Sequence, residues 1–466
     1  MDASFVRQVA DQAPLAEAVL RMLDHVTQSE FLDHVFETYR GRSYEAEIRF
    51  PLFVNLIADA LLEHHGSGRQ SFQRSEEAGG LTTSIRAAYG KLARVPLSLS
   101  MGFLSEGSAR LHELFPCGVA GREVPKSLKG MEVFFHDGKT LKHVAKRLKV
   151  LRKLQGKVIG GRLVVAQSFS TGMAVAMGAD EDGESGEQPL VPNVLAQTRA
   201  AFPDRSRLHA ADRQYCDLVQ MERFAAQGDH FLVRWNRKLK FYRDERWEPL
   251  TGTDRYGRTY TEDWGWVGSS SDPRRRYVRR IHLHREGGQE DVIVLTDLDD
   301  PGQYPADDLL EVYLHRWGIE RMFQQVTEVF HLQTLIGTSP RATVFQATFC
   351  FLLYNMIQVV RAYIAEGQNR EAKTLSVEQL FYDVHRQLTA WTQMLSAKQT
   401  VHLLSNTWTS AQVARRLQQL LHGQWSKRWI KSPSNTHKHA SKQRDEYPSG
   451  GHISVFRVMQ EARNRT

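Results

Sequence analysis

Apolar positions in the first 115 residues recur at three- and four-residue spacing, and the rhythm changes after that. Val19, Leu20 and Leu23, then Phe31, Leu32, Val35 and Phe36, fall on single stripes, the spacing of helices with one buried face. A third helix is predicted from Glu47 to His64, with Pro51 in its first turn, where a missing N–H costs little. The Gly-, Ser- and charge-rich stretch 65–80 reads as a loop, and 81–93 and 96–115 resume helical spacing. From about 130, short apolar runs close on acidic or glycine residues. Glu132–His136 predicts a strand ending at Asp137-Gly138, and 161–171 and 173–178 predict two strands joined by a tight turn. An acidic, solvated loop is expected over 180–187. Leu208–Ala211 reads as a strand ending at Asp212, and His230–Trp235 as another, with helices over Leu190–Ala201 and Cys216–Gln227. Strands alternating with helices predict a mixed α/β sheet.

The stretch 237–300 departs from that rhythm. It holds Trp247, Trp264, Trp266 and the basic run Arg274, Arg275, Arg276, Arg279 and Arg280, with strand-like alternation in Tyr277–Arg285 and an apolar run at Val292–Leu295. A long helix over Asp307–Phe330 follows, then one over Ala342–Ala365, helical texture to about Gly423, and a polar, basic tail from Ser426. The expected organisation is a helical N-terminal domain (1–120, a candidate for DNA binding), a catalytic core in two parts (130–236 and 301–370) split by a β-rich insertion (237–300), and a helical C-terminal region with its tail (371–466).

Composition narrows the class. At 466 residues the chain is long enough for two or three domains. Lys and Arg outnumber Asp and Glu by 61 to 53, a formal charge of +8 that favours a polyanionic partner. Cys117, Cys216 and Cys350 form no Cys-x-x-Cys pair, which argues against a disulfide framework or zinc knuckle and fits a reducing cytoplasm. The N-terminus lacks a signal-peptide pattern. The longest apolar stretch, around Phe345–Val360, is broken by Gln346, Asn355 and Gln358 and is shorter than the ~20 residues of a membrane span. It reads as a buried helix, so no membrane partner is expected.

Three acidic residues carry the candidate chemistry. Asp137 stands in Phe134-Phe-His-Asp-Gly-Lys139 at a strand exit, where a ligand site and a plain Asp-Gly turn are both open readings. Asp212, in Leu208-His-Ala-Ala-Asp-Arg-Gln-Tyr215, is delivered by an apolar strand and serves equally as the N-cap of the next helix. In Leu310–Phe323, helical spacing puts Tyr313, Arg316 and Glu320 on one stripe beside the apolar face of Ile319, Met322, Phe323, Val326 and Phe330. A surface ion pair between Arg316 and Glu320, worth a few tenths of a kcal/mol, is the plain alternative.

Taken together, the strand-borne Asp-Gly, the strand-borne Asp-Arg-x-Tyr and the Tyr-x2-Arg-x3-Glu of the Arg-Trp-x-Ile-Glu setting resemble the DDE transposases of the insertion-sequence group with the Tyr-Arg-Glu-Lys signature. The resemblance covers roughly residues 130–340. Val294-Leu-Thr-Asp-Leu298, with Tyr304 and Leu309–Tyr313, is similar to that family's approach to its glutamate helix, and Gly450-Gly-His-Ile-Ser454 to its tails.

The resemblance implies a ribonuclease-H-like core in which Asp137, Asp212 and Glu320 bind two Mg2+ ions (Mn2+ substituting) for phosphodiester cleavage and strand transfer. A hairpin intermediate is one possible route. Hard cations prefer such carboxylate oxygens. It also implies that Tyr313 and Arg316 orient Glu320 and contact DNA phosphates. The family's lysine, seven residues after the glutamate, is Thr327 here, which puts grip on the DNA end in question. Gln214 is a milder departure from the second motif. Implied partners are double-stranded DNA with terminal inverted repeats, target DNA, and a second copy of the chain in a synaptic dimer, in a bacterial cytoplasm at the nucleoid.

Further candidates for DNA contact are Arg213 and Arg234 and the lysines and arginines between Lys139 and Lys157, with a solvated helix face as the other reading of that run. Trp264 and Trp266 could stack on an unpaired base, core packing being the alternative for at least one. Two rivals stay open: a decayed transposase that binds DNA ends without cutting, and a nuclease that cuts without joining.

Overall fold

The computed structural model describes residues 3–45, 47–62, 68–77, 79–116, 122–142, 158–285, 290–328, 339–404, 408–431 and 453–464. The N-terminal stripes form α1 (Ala3–Gln12), α2 (Pro14–Thr27), α3 (Ser29–Tyr39), α4 (Phe50–Leu62), α5 (Gly68–Glu77), α6 (Ile85–Arg94) and α7 (Leu97–Glu113). The stretch expected as a loop over 65–80 contains α5. That helix is polar throughout except Phe72, which is fully buried and meets the Tyr89 ring at 5.0 Å, while Ser71 Oγ donates to Leu56 O at 2.8 Å. One aromatic anchor holds it, too little to leave a periodic signal in sequence.

The sheet and its helices follow. They are β1 (Glu132–Lys142), β2 (Val158–Ser168), β3 (Ala174–Asp180), α8 (Val191–Ala201), β4 (Arg207–Ala211), α9 (Leu218–Phe224) and β5 (His230–Arg234). Next come β6 (Phe241–Arg243), β7 (Leu250–Thr253), β8 (Thr259–Val267), β9 (Arg276–Leu283) and β10 (Val292–Thr296). The chain ends with α10 (Ala306–Leu314), α11 (Trp317–Glu328), α12 (Pro340–Gly367), α13 (Val377–Met394), α14 (Ala397–Leu404), α15 (Ser410–Leu421), β11 (Ile453–Ser454) and α16 (Val455–Asn464). The fold is mixed α/β, with one large mixed sheet in the order β11-β2-β1-β4-β5-β10-β9-β8-β6, β3 pairing with β2 and β7 with β8.

β1, β2 and β3 run antiparallel, whereas β1, β4 and β5 are parallel. The β-rich stretch 237–300 does not stand apart: β10 pairs with β5, and the same sheet continues through β9 and β8. Its basic run is largely neutralised. Arg279 is fully buried on Glu262 and the carbonyl oxygens of Leu298 and Tyr304, and Arg280 pairs with Asp263.

α12 is the spine of the molecule. It is long and apolar enough to cross a membrane, yet its apolar window is wholly buried by protein. One of the polar residues that interrupt it, Asn355, satisfies buried backbone: it accepts from Ala174 N at 2.8 Å and donates to Ala174 O at 2.7 Å and Ser108 Oγ at 2.9 Å. Around it the N-terminal helices and the C-terminal α13 and α15 pack into one core cluster that runs from Val9 to Val455.

Two local predictions change. β1 does not stop at Asp137 but continues to Lys142, because β2 stays paired with it throughout, Asp137 opposite Val165. The helix expected over Asp307–Phe330 breaks into α10 and α11 at His315–Arg316. There His315 Nδ1–H donates to the Glu311 carbonyl at 2.8 Å, and the next bonds tighten to three-residue spacing, Arg316 N to Tyr313 O and Ile319 N to Arg316 O. The tail's Lys438, Lys442 and Arg444, Gly450–His452, Cys117 and Lys146–Lys157 lie outside the described residues.

Candidate active site

The parallel register of β1 and β4 sets the two aspartates side by side. The last paired residues are His136 and Ala211, so Asp137 and Asp212 step off at the same level of adjacent strands. Beyond that level β4 has ended, and β1 retains only β2 as a neighbour, which leaves a notch at the carboxyl edge of the sheet. Asp212 also caps the short 213–215 turn: its Oδ1 accepts from Arg213 N at 2.7 Å. The two readings of Asp212 are therefore compatible.

Glu320 enters from α11, whose Phe323 ring lies 5.8 Å from the Lys139 ammonium on β1. The break after α10 turns Arg316 inward. It is 3% exposed, donates Nη2 to Glu320 Oε1 at 3.0 Å, and lies within electrostatic range of Asp137, Asp212 and Tyr313. Its Nε and Nη1 are buried without a hydrogen-bond partner among the described residues. All three predicted carboxylates thus gather around one guanidinium. Tyr313, buried beside them, has its hydroxyl pushed up to about 12, chiefly by burial.

A fourth carboxylate has no counterpart among the sequence candidates. Glu187 is 6% exposed rather than solvated, and it is held by Tyr215 Oη at 2.9 Å and Arg162 Nη1 at 2.9 Å. A Cβ added to Gly138 would stand 1.8 Å from the Glu187 Cδ, so the glycine after Asp137 makes room for this side chain. Asp137 is pushed up to about 7 by burial, with Glu187 and Glu320 adding to the effect and Arg316 opposing it. Only the Asp-Gly pair and the tyrosine three residues after Asp212 hinted at such a neighbour.

The cluster suits a hard divalent cation: its donors are carboxylate oxygens, and negative charge exceeds what Arg316 and Arg162 supply. A separate group, His282, His284 and Asp291, also stands close enough to share an ion, but two imidazoles with one carboxylate suit a softer metal.

The other predicted contacts have mixed fates. Arg213 and Arg234 converge on Glu290, at 3.1 and 2.8 Å. Trp264 is 9% exposed with its indole N–H on the Asp299 carbonyl, so its packing leaves no face for a base. Trp266 is half-buried, edge-on to Tyr277 and beneath Arg275 at 4.5 Å. The exposed aromatic nearest the carboxylates in sequence is Trp317 of the Arg-Trp-x-Ile-Glu stretch, 57% exposed. Thr327 turns its hydroxyl onto the Phe323 carbonyl of its own helix at 2.6 Å.

Carboxylates at one level of adjacent strands, faced by a third on a helix, define an α/β protein with an acidic cluster whose oxygens suit a divalent cation. Residues 128–356 match the family described as the transposase DDE domain. The chain is also 25% identical over 208 residues to the probable transposase for insertion sequence element IS5377 of Geobacillus stearothermophilus, covering 44% of this chain. It spans about half the length of that curated relative, 50%. Together these two findings support a DDE-type transposase. A solved structure, the piggyBac transposase synaptic complex with hairpin DNA, is similar at 9% identity and a TM-score of 0.38, over 90% of this chain and 88% of that one.

Proposed function

We propose that the chain is a transposase that cleaves DNA at the ends of a mobile element and joins them to target DNA, with Asp137, Asp212 and Glu320 as its catalytic carboxylates on a ribonuclease-H-like core. The observation that carries this reading is the shared level of Asp137 and Asp212 on β1 and β4, with Glu320 tied to them through the buried Arg316. Asp137, Asp212 and Glu320 would hold Mg2+ or Mn2+, which when bound activates the attacking oxygen and stabilises the leaving one.

The chain's own residues prepare that site. Arg316 fixes Glu320 and lowers the cost of gathering carboxylates, and Tyr215 and Arg162 hold Glu187 against the back of Gly138. Arg213 and Arg234, now bridged by Glu290, are placed to exchange that carboxylate for a phosphate of double-stranded DNA. Holding two terminal inverted repeats together calls for a second copy of the chain.

The test uses the full-length protein and labelled duplexes carrying the element's terminal inverted repeats, with Mg2+. Wild type is expected to give cleaved and joined products. Glu320→Gln is expected to lose both by at least about a thousandfold, a loss of more than about 4 kcal/mol of transition-state stabilisation, while retaining DNA binding. Cleavage without joining would favour the nuclease, binding without either the relic, and unchanged cleavage by the variant would remove Glu320 from the site.

A further inference from the structure

Beside the N-terminal end of α11 lies a group of cations that the proposed chemistry does not use. Tyr354, Gln358 and Arg361 recur at helical spacing on α12 and face the turn joining β2 to β3. Gly172 of that turn is close enough that a Cβ there would lie 3.5 Å from Gln358 Oε1 and 3.8 Å from an Arg361 terminal nitrogen. Arg122 reaches the same turn from the other side, its backbone N–H donating to Ser170 O at 2.8 Å and its guanidinium 5.0 Å from the Phe169 ring. Gln167 closes the base, donating to Gly172 O at 2.9 Å and reaching Tyr354 Oη at 3.5 Å. Arg321, the residue after Glu320, and Lys431 flank the group within electrostatic range of Arg122.

Two features set this cluster apart from an ordinary basic surface. Several of its polar atoms lack partners among the described residues: Arg122 Nε, Arg361 Nε and both amide atoms of Gln358, itself 1% exposed, are buried without a hydrogen bond. Its charge is also uncompensated. Among the described residues no carboxylate pairs with Arg122, Arg321, Arg361 or Lys431. The one acid near Arg122, Glu311, is engaged by Arg255. Burial and the neighbouring Arg361 push the Arg122 guanidinium down to about 10, the direction expected of cations crowded together without an anion. A folded chain seldom leaves buried donors idle, and where it does, an unseen ligand is a standard cause.

We infer that Arg122, Arg361 and Gln358, with Arg321 and Lys431 at the rim, form a phosphate-binding subsite that takes a backbone phosphodiester of the DNA running past Glu320. The inference rests on the proposed function and extends it, since guanidinium groups suit phosphate oxygens and their mutual repulsion is relieved only when an anion arrives.

The experiment measures duplex binding by full-length protein as a function of salt, for wild type, Arg361→Gln, Arg122→Gln, and the rim variant Arg321→Gln, which keeps the buried residues intact. Each lost phosphate contact is expected to flatten the dependence of log K on log salt by about 0.9. Arg361→Lys is expected to recover part of the slope. Thermal melting without DNA supplies the second readout: removing one of several unpaired cations leaves the melting temperature unchanged or higher. A structural role would lower it. Normal salt dependence in all three Gln variants would overturn the subsite while leaving the transposase reading intact. Loss of inorganic phosphate or pyrophosphate binding with unchanged duplex binding would reassign the cluster to a small anion and overturn it as well. Failure of wild type to bind duplex at all would bring down the functional reading itself.

Discussion

The same two strands carry two polar clusters, one residue apart on β1 and three apart along β4, and they are built on opposite terms. Beneath the notch, His136 and His209 meet at 2.9 Å, and His209 reaches Asp229 at 3.4 Å. Asp229 in turn accepts from Arg199 at 2.8 Å and Arg207 at 2.5 Å. Here a carboxylate has two guanidinium partners, and its carboxyl is held down to about 2, with three charge-favouring neighbours outweighing the burial that opposes them. Toward the carboxyl edge, Asp137, Asp212, Glu187 and Glu320 gather with fewer cations per carboxylate, Arg316 keeps two nitrogens without a partner among the described residues, and Asp137 is driven upward instead. A network whose carboxylate is matched by guanidinium groups holds the strands in register; one short of cations on the same strands stores affinity for whatever completes it.

The contrast breaks most sharply at Asp229. Asp229→Ala leaves Arg199 and Arg207 without their anion in the sheet, and is expected to cost about 3–5 kcal/mol in denaturant unfolding. Asp212→Asn, at the half-open notch, is expected to change stability by less than about 0.5 kcal/mol. A comparable loss in both would mean that the two clusters are not distinct in kind. The pH sign tracks the depressed carboxyl: the contribution of Asp229 is full above the ordinary aspartate range and is lost as pH falls toward about 2.

A smaller effect sharpens the same comparison from the backbone. Gly138→Ala puts a methyl group into the space of the Glu187 carboxylate, and overpacking of this kind costs about 1–3 kcal/mol. The expectation is specific to that contact, so Glu187→Ala in the same chain should restore most of the loss. A Gly138→Ala protein as stable as wild type would show that Glu187 moves aside freely and is not fixed by Tyr215 and Arg162.

These contrasts explain what was legible in sequence. The convergence of Asp137, Asp212 and Glu320 was, because each stands in or beside an apolar run whose register can be counted. The alternating sheet and the buried α12 were legible for the same reason, and its Gln346, Asn355 and Gln358 already argued against a lipid-facing helix. Glu187 was not, since its loop has no period and its burial depends on Gly138, 49 residues away in sequence by subtraction of the two positions. Nor was α5, held by Phe72 alone, or the break at His315, where a side chain competes for a backbone carbonyl. The basic run 274–280 stands out by composition. Its Arg279 and Arg280 prove to be spent on Glu262 and Asp263, whereas Arg122 and Arg361, isolated in sequence, remain unpaired by any described acid.

The most delicate probe of the difference is Asp137 itself, studied with divalent ions removed by chelator. Its carboxyl titrates near pH 7 in the folded chain and near its ordinary value of 3.8 when unfolded. Between those limits the folded state holds the extra proton, so native stability falls as pH rises through the window and the cost is complete above about 7. Asp137→Asn removes that cost. The variant should match wild type near pH 4, gain on it steadily to pH 7, and then stay ahead by about 2 kcal/mol, less than full linkage gives because the notch admits water. The sign is opposite to that expected at Asp229, where losing the charge destabilises at neutral pH. If Asp137→Asn proved neutral or destabilising at pH 8, the crowding of carboxylates around Arg316 would already be balanced without a cation, and the site would no longer need one.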